Sequence, residues 1–268
     1  MKHLLSAVLA VALLSAGTAY AHGGGGLRGE VSVEVVSDSG ATLLTIPHKD
    51  FWKSGTRIIK RWLEAKKGER YTVVIRNSTP GRIGVVVAVD GRNIISGKKS
   101  DLKNNEDMYI VGAYDRGSYE GWRTDQDTVH RFYFTEPGDS YSATTFQDTS
   151  AMGLIAVAVY REKEQPPMIE EKLRRESAPA ATSMESADRS KPMAKDQAAG
   201  TGFGEGQYSP TVRVAFDPER KPIQKTLVKY EWRETLCRKG IINCGQEGRN
   251  RLWDEGEYAP FPPGYRGK

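Results

Sequence analysis

Histidine nitrogens are the first candidates for chemistry in this chain. If cleavage after Ala21 removes the first residues, His22 becomes the N-terminal residue and offers both a free amine and an imidazole. These two nitrogens and a second histidine can form a T-shaped copper site, since imidazole is a good copper ligand, and His48 and His130 are the candidates for the second ligand. Four glycines follow His22 and would hold such a site loosely. We expect no cofactor, with copper on His22 and His130 as the alternative.

His130 is also a candidate general base. Asp125 and Asp127 lie close to it in sequence, and a neighbouring carboxylate can orient a histidine and raise its pKa. Ser118 and Ser140 are the nearest serines, but no G-x-S-x-G turn accompanies them. The chain also lacks a P-loop, a dinucleotide-binding glycine pattern and H-E-x-x-H. The sequence therefore favours a non-enzymatic protein, and no catalytic residue is assigned.

Aromatic side chains are the candidates for binding. Five of them lie in or beside expected loops: Trp52, Tyr114, Tyr119, Trp122 and Tyr141. Aromatic faces stack on sugars and anchor protein interfaces. The alternative is that at least half of them pack at the ends of the strands. The expected partner is another envelope protein or a glycan.

Residues 1–21 have the layout of a secretory signal peptide, with Lys2 as a basic start, an apolar run at 4–16 and the small-x-small site Ala19-Tyr20-Ala21. The run is shorter than the roughly 20 residues of a transmembrane helix. We therefore expect cleavage after Ala21, no transmembrane segment in the mature chain, and a location in the periplasm, at the cell surface or outside. The formal charge of +5 is spread along the chain. Without a recognisable nucleic-acid-binding module, no nucleic-acid partner is expected.

The chain has two cysteines, Cys237 and Cys244. An isolated pair in an oxidising compartment indicates a disulfide, here closing a small loop around Gly240. The alternative is a metal or redox pair. The spacing is neither C-x-x-C nor part of a four-ligand set, so the disulfide is the expectation.

Short strands separated by turn signals predict the fold class. Residues 31–35 alternate apolar and polar, and the valine-rich run 83–89 is typical of a central strand covered on both faces. Asp90-Gly91 is a strong turn pair. Further strands are expected at 71–75, 108–111, 118–122, 129–135 and 154–160. We therefore expect residues 22–26 to be a flexible glycine-rich lead-in and residues 27–161 to be one β-sandwich-like domain.

The composition changes after the β-domain. No aromatic residue occurs from 165 to 200, and such a stretch buries too little apolar surface to order itself, so residues 162–207 are predicted to be a disordered linker. Residues 208–268 are expected to form a C-terminal β-hairpin, from strands at 212–216 and 227–232, with the small disulfide loop at its end. The sequence leaves open whether this hairpin docks on the main domain.

A set of motifs resembles a family of exported proteobacterial proteins usually called hypothetical. The matching motifs are Val85 to Gly97, Tyr119-Glu120-Gly121-Trp122-Arg123, Phe132 to Thr135, Ser140-Tyr141 and Gly153 to Tyr160. They cover most of residues 65–161 and, more weakly, Tyr230 to Cys237. The resemblance implies a β-module and brings no reaction, cofactor or catalytic residue.

Together these features predict an all-β, exported, non-enzymatic protein that binds another envelope component through aromatic loops or through strand addition at an exposed edge. The first alternative is a glycan-binding or glycan-active protein of the periplasm or surface. The second is a copper protein built on His22.

Overall fold

A computed structural model describes residues 31–164 and 198–244 of the protein, and it confirms the predicted all-β architecture in two sheets. Sheet I consists of β1 (Val31–Ser37), β4 (Arg70–Asn77), β8 (Arg116–Tyr119), β9 (Gly121–Arg123), β10 (Thr128–Thr135), β12 (Gly200–Thr201) and β13 (Gly206–Tyr208). Sheet II consists of β2 (Thr45–Lys53), β3 (Thr56–Ala65), β5 (Ile83–Val89), β6 (Arg92–Asn93), β7 (Tyr109–Val111), β11 (Leu154–Arg161) and β14 (Gln224–Trp232). Side chains from both sheets share one hydrophobic core.

β5 is the central strand that its sequence predicts. All seven of its residues are buried. Val85, Val87 and Val89 belong to the main core, whereas Val86 packs with Tyr160 and its neighbours on the opposite face of sheet II. An unbroken apolar run is needed here because both faces of the strand are covered.

The Asp90-Gly91 pair forms the turn between β5 and β6, as predicted. Both residues have positive φ, 48° for Asp90 and 78° for Gly91, and Val89 pairs with Arg92 across the turn. A two-residue hairpin turn with positive φ at both positions favours Asp followed by Gly, because aspartate tolerates the left-handed region better than most residues.

The C-terminal strand lies inside sheet II. β14 pairs in parallel with β3 and antiparallel with β11, so the strand expected at 227–232 is confirmed. Residues 212–216, its expected hairpin partner, belong to no strand. The alternation of apolar and polar residues does make 212–216 suited to a strand, but β3 and β11 already occupy both edges of β14.

β12 and the first two residues of β13 lie within residues 162–207, the stretch predicted to be a disordered linker, and both strands pair with β10. The leader at 1–21, the lead-in at 22–26 and linker residues 165–197 lie outside the described residues. Over the ranges that are described, no helix is long and apolar enough to cross a membrane.

Two α-helices of six residues each, α1 (Tyr141–Phe146) and α2 (Arg233–Arg238), and one turn of 3₁₀ helix at Pro137–Asp139 complete the described elements. Ser140 caps α1, because its side-chain oxygen accepts a hydrogen bond from the backbone N–H of Ala143. Cys237 in α2 is bonded to Cys244, with 5.5 Å between their Cα atoms. The predicted disulfide is therefore confirmed.

A buried polar network joins the two sheets. Asp90 is 1% exposed, and its Oδ1 accepts hydrogen bonds from the backbone N–H of Gly153 at 2.7 Å and from the Tyr230 hydroxyl at 2.6 Å. Its Oδ2 accepts from the backbone N–H of Thr201 at 2.7 Å. Because the Tyr230 proton points to Asp90, Thr201 Oγ1 donates to Tyr230 and Tyr71 donates to Thr201, over 2.6 and 2.8 Å. The Asp90 carboxylate therefore bonds directly to β12, β14 and the turn at Gly153, and through Thr201 it is linked to Tyr71 in β4.

Candidate functional site

An open groove of about 880 Å³ lies at one side of the described structure. Its walls are the loop 104–108, the edge strand β7, the turn 123–126 and residues 211–218. Pockets that bind ligands commonly have volumes of about 300–1,000 Å³.

Residues 209–218, hereafter the strap, cross from sheet I to the edge of sheet II along this groove. At one end, the backbone N–H groups of Ser209 and Thr211 donate to the carbonyls of Asp127 and Gln126, over 2.7 and 2.9 Å. At the other end, the carbonyl of Asp217 accepts from the backbone N–H of Lys163 at 2.8 Å. The strap is therefore tied to the domain at both ends.

The middle of the strap has no backbone ladder. Among the described residues, the N–H groups of residues 212–216 make no hydrogen bond. Val212 is 84% exposed and Val214 is 53% exposed, and both line the groove. Phe216 turns inward, where its ring lies close to Met108 and Gly84. Residues 212–216 therefore combine a strand-like sequence, exposed valines and unpaired backbone N–H groups. Unpaired, strand-like backbone of this kind can pair with a strand of another chain.

Arg123 fixes the near end of the strap to the groove wall. Its Nη1 donates to the carbonyls of Ser209, Asp125 and Gln126, each at 3.0 Å, and its Nε donates to the Tyr109 hydroxyl at 2.8 Å. Burial raises the pKa of Tyr109, and the bond from Arg123 partly offsets that rise. One guanidinium therefore positions both the strap and the Tyr109 ring.

Replacing Arg123 with methionine is expected to loosen the strap. The loss of several charge-assisted bonds should reduce the free energy of unfolding by about 1–3 kcal/mol. Hydrogen exchange, followed by mass spectrometry, should show faster exchange at the amides of Ser209 and Thr211. Arg116→Met is the control, because the Arg116 side chain is exposed and has no bond within the described ranges. Unchanged exchange at both strap amides in Arg123→Met would contradict this role.

The acidic groups on the groove wall hold loops in place. Glu106 Oε1 accepts hydrogen bonds from the backbone N–H groups of Asp101 and Lys103, at 3.0 and 2.8 Å. The Asp125 carboxylate accepts from the backbone N–H of Asp127 at 2.8 Å, and this bond lowers the pKa of Asp125. Both carboxylates therefore accept hydrogen bonds from the backbone of their own loops and serve to hold those loops.

The five aromatic residues predicted to bind a ligand do not form one surface. Trp122 is 2% exposed and donates from Nε1 to the carbonyl of Gly202. Tyr119 is buried and stacks on Tyr109, with 4.4 Å between ring centroids. Trp52 and Tyr114 are exposed, whereas Tyr141 is half-buried and contacts Trp122 at 4.7 Å between ring centroids.

Tyr141 belongs to an aromatic cluster whose other exposed members were not predicted. Its ring lies 5.0 Å from that of Phe203 and 5.4 Å from that of Phe146, both partly exposed. Glycines on both sides of Phe203 are the sequence signal for this position. A Cβ at Gly202 would lie 2.2 Å from the Tyr133 ring, and one at Gly204 would lie 2.8 Å from the carbonyl of Arg131. Only glycine allows the backbone to approach so closely.

His130 is part of the same aromatic cluster. Its Nδ1 lies 2.8 Å from the carbonyl oxygen of Gly204, and its ring stacks on Phe203 at 4.1 Å between centroids. In the part of the chain that the structure describes, no three histidine, cysteine or carboxylate side chains converge on a metal position. His22 lies outside the described residues, so copper on His22 and His130 stays a prediction.

The structure does not bring a catalytic triad together around His130. Ser140 donates to the carbonyl of Pro137 and caps α1, and Ser118 is an exposed residue of β8. Within the described residues, the imidazole is within hydrogen-bond distance of the Gly204 carbonyl and stacks on Phe203, and it has no hydrogen bond to a serine or a carboxylate. His48, the other candidate ligand, packs edge-on against Trp62, with 5.8 Å between ring centroids.

Comparison with known proteins gives no relative. No family model matches the sequence, and neither a curated protein nor a solved structure matches it.

Proposed function

We propose that this protein is an exported, non-enzymatic envelope module that binds an extended segment of another protein by strand addition along residues 212–216. The observation that carries the proposal is that, among the described residues, the backbone N–H groups of this segment have no hydrogen-bond partner beside an 880 Å³ groove, although the Ala215 carbonyl accepts from Arg82. In strand addition, main-chain hydrogen bonds supply affinity and side-chain pockets supply specificity. The exposed valines at 212 and 214 favour a partner with apolar residues at alternate positions.

Export is supported by two features of the chain. Residues 1–21 have the signal-peptide pattern, and Cys237 and Cys244 form a disulfide. Disulfides persist in oxidising compartments such as the periplasm and the cell exterior.

Site-specific photocrosslinking in the producing cells tests the proposal. A photoreactive residue at position 213, whose side chain is exposed on the strap, should capture a reproducible protein partner. The same residue at position 98, which is exposed and outside the groove walls, is the control. Equal capture from both positions, or capture from neither under conditions where a known pair is trapped, would count against strand addition.

Val214→Pro should abolish partner capture without unfolding the protein. Proline removes the backbone donor that an added strand needs, and the Val214 N–H has no bond within the described ranges. We expect at least a tenfold fall in crosslinked product, with a free energy of unfolding within about 0.5 kcal/mol of the wild type. Val214→Thr keeps the N–H and the β-branched shape, so it should retain capture. Equal loss in both variants would point to the side chain instead of the backbone.

Glycan binding is the second candidate, and the aromatic cluster favours it. Phe146 and Phe203 are each 38% exposed and both contact the Tyr141 ring, and aromatic faces can stack on sugar rings. Cell-wall polysaccharide should then retain the wild type and release Phe203→Ala. Equal retention of both would remove this candidate.

A further inference from the structure

The hairpin formed by β2 and β3 concentrates positive charge. Five basic and two acidic residues lie between Thr45 and Ala65, a net charge of +3 out of +5 for the whole chain. Both acidic groups are paired, Asp50 with Arg57 at 2.7 Å and Glu64 with Arg233 at 3.1 Å. The remaining cations, Lys49, Lys53, Lys60 and Arg61, form no ion pair with the residues described. The hairpin therefore presents an unneutralised positive field.

The tip of the same hairpin exposes large apolar side chains. Trp52 is 69% exposed and Phe51 is 39% exposed, just before the turn at Ser54 and Gly55. β2 is the outermost strand on its side of sheet II, and none of its residues is buried. Tryptophan beside lysine is typical of segments that sit at the boundary between lipid and water.

The strand register extends this surface across sheet II. Phe51 pairs with Ile58, and Lys49 pairs with Lys60, so all four lie on one face. In the adjoining parallel pair, Lys60 lies beside Leu227. A pocket of about 280 Å³ opens on this face, lined by three apolar side chains and by His48, Lys60, Arg61 and Lys229. Cationic and apolar groups therefore alternate over one continuous patch on the face that carries Lys49, Phe51 and Lys60, whereas Trp52 lies on the opposite face of the hairpin.

We propose that the β2–β3 hairpin docks tip-first on an anionic phospholipid surface, with Phe51 and Trp52, which project from opposite faces of β2, at the depth of the headgroups and the unpaired lysines over the lipid phosphates. Charge complementarity selects this occupant, because basic residues are attracted to anionic lipids and aromatic residues favour the membrane interface. The patch lies on sheet II at the edge opposite β7, so it is separate from the strap and independent of the proposed function.

Vesicle sedimentation tests the proposal, with the protein as purified from its producing cells. Vesicles of phosphatidylglycerol and phosphatidylcholine in equal parts should bind it at low salt and release it at high salt, since surface charge is screened. Two double variants, Lys49→Glu with Lys53→Glu and Phe51→Ser with Trp52→Ser, should each lower the phosphatidylglycerol-dependent bound fraction at least tenfold. Their thermal transitions should match the wild type, because all four side chains are exposed.

Lys98→Glu with Lys99→Glu is the matched control, because it makes the same charge change at exposed positions outside the hairpin. It should leave most of the binding intact. An equal loss in the control and in Lys49→Glu with Lys53→Glu would show that net charge alone drives binding and would overturn the proposal. Two other results would also overturn the proposal. One is the absence of phosphatidylglycerol-dependent binding, and the other is binding to a soluble polyanion such as heparin but not to vesicles.

Discussion

Asp90→Ala is expected to destabilise the protein by about 3–5 kcal/mol, because it leaves several buried donors without an acceptor. The backbone N–H groups of Gly153 and Thr201 and the hydroxyl of Tyr230 all donate to this one carboxylate. Thr201 is buried in β12 and Tyr230 is buried in β14, so water cannot replace the lost acceptor without opening the core. Alanine also tolerates the positive φ at this position poorly.

Urea unfolding followed by tryptophan fluorescence measures this effect. Asp107→Ala is the control, since the Asp107 side chain is exposed and makes no hydrogen bond within the described residues. It should change the free energy of unfolding by less than about 0.5 kcal/mol. A loss below about 1 kcal/mol in Asp90→Ala would contradict the network, because a solvated carboxylate costs little to remove.

The second large effect is a dependence of stability on pH that comes from the same carboxylate. Burial raises the pKa of Asp90 from 3.8 to about 6, although its hydrogen bonds from Tyr230, Thr201 and Gly153 oppose the rise. Between these two pH values the folded protein holds a proton that the unfolded chain releases. The contribution of Asp90 is therefore fully present below about pH 4 and is lost as the pH rises through about 6, a change of about 3 kcal/mol.

Asp90→Asn isolates this contribution. Asparagine has the shape of aspartate and tolerates positive φ, but it does not titrate. Its amide NH2 group faces one of the N–H or O–H groups that donate to Asp90 in the wild type, so that group loses its acceptor. We expect it to be less stable than the wild type at every pH, with the smallest difference at pH 7 and the largest near pH 4. Denaturant unfolding of both proteins at several pH values gives that difference directly. A difference that does not vary between pH 4 and 7 would show that Asp90 stays ionised in the folded protein throughout this range.

Sequence patterns predicted the local parts of this network but could not assemble it. Asp90-Gly91 is readable as a turn because two positive φ angles favour that dipeptide. Thr201 and Tyr230, its partners, lie 111 and 140 residues further along the chain. A pattern in neighbouring residues cannot predict hydrogen bonds between Asp90 and partners so distant in sequence. For the same reason, strand 227–232 was predicted, but its position between β3 and β11 was not.

Residue type also failed to tell an exposed aromatic from a buried one. Trp122 and Tyr119 are buried in the core, whereas Phe203, which no motif singled out, is partly exposed. Strand alternation decides which way such side chains point, and the register that sets it depends on pairing with distant strands. The valines of the strap show the same limit. Their pattern is that of a strand, and only the fold shows that both edges of β14 are taken.

Binding of extended peptides to the strap is the most direct test of the proposed function. The protein is used to select from a library of displayed twelve-residue peptides, and the enriched peptides are measured against the wild type, Val214→Thr and Val214→Pro. We predict enriched peptides with alternating apolar residues that slow amide exchange at residues 212–216. They should bind Val214→Thr normally and Val214→Pro at least tenfold more weakly. Enriched peptides that bind all three proteins equally and leave exchange at 212–216 unchanged would contradict strand addition at this site.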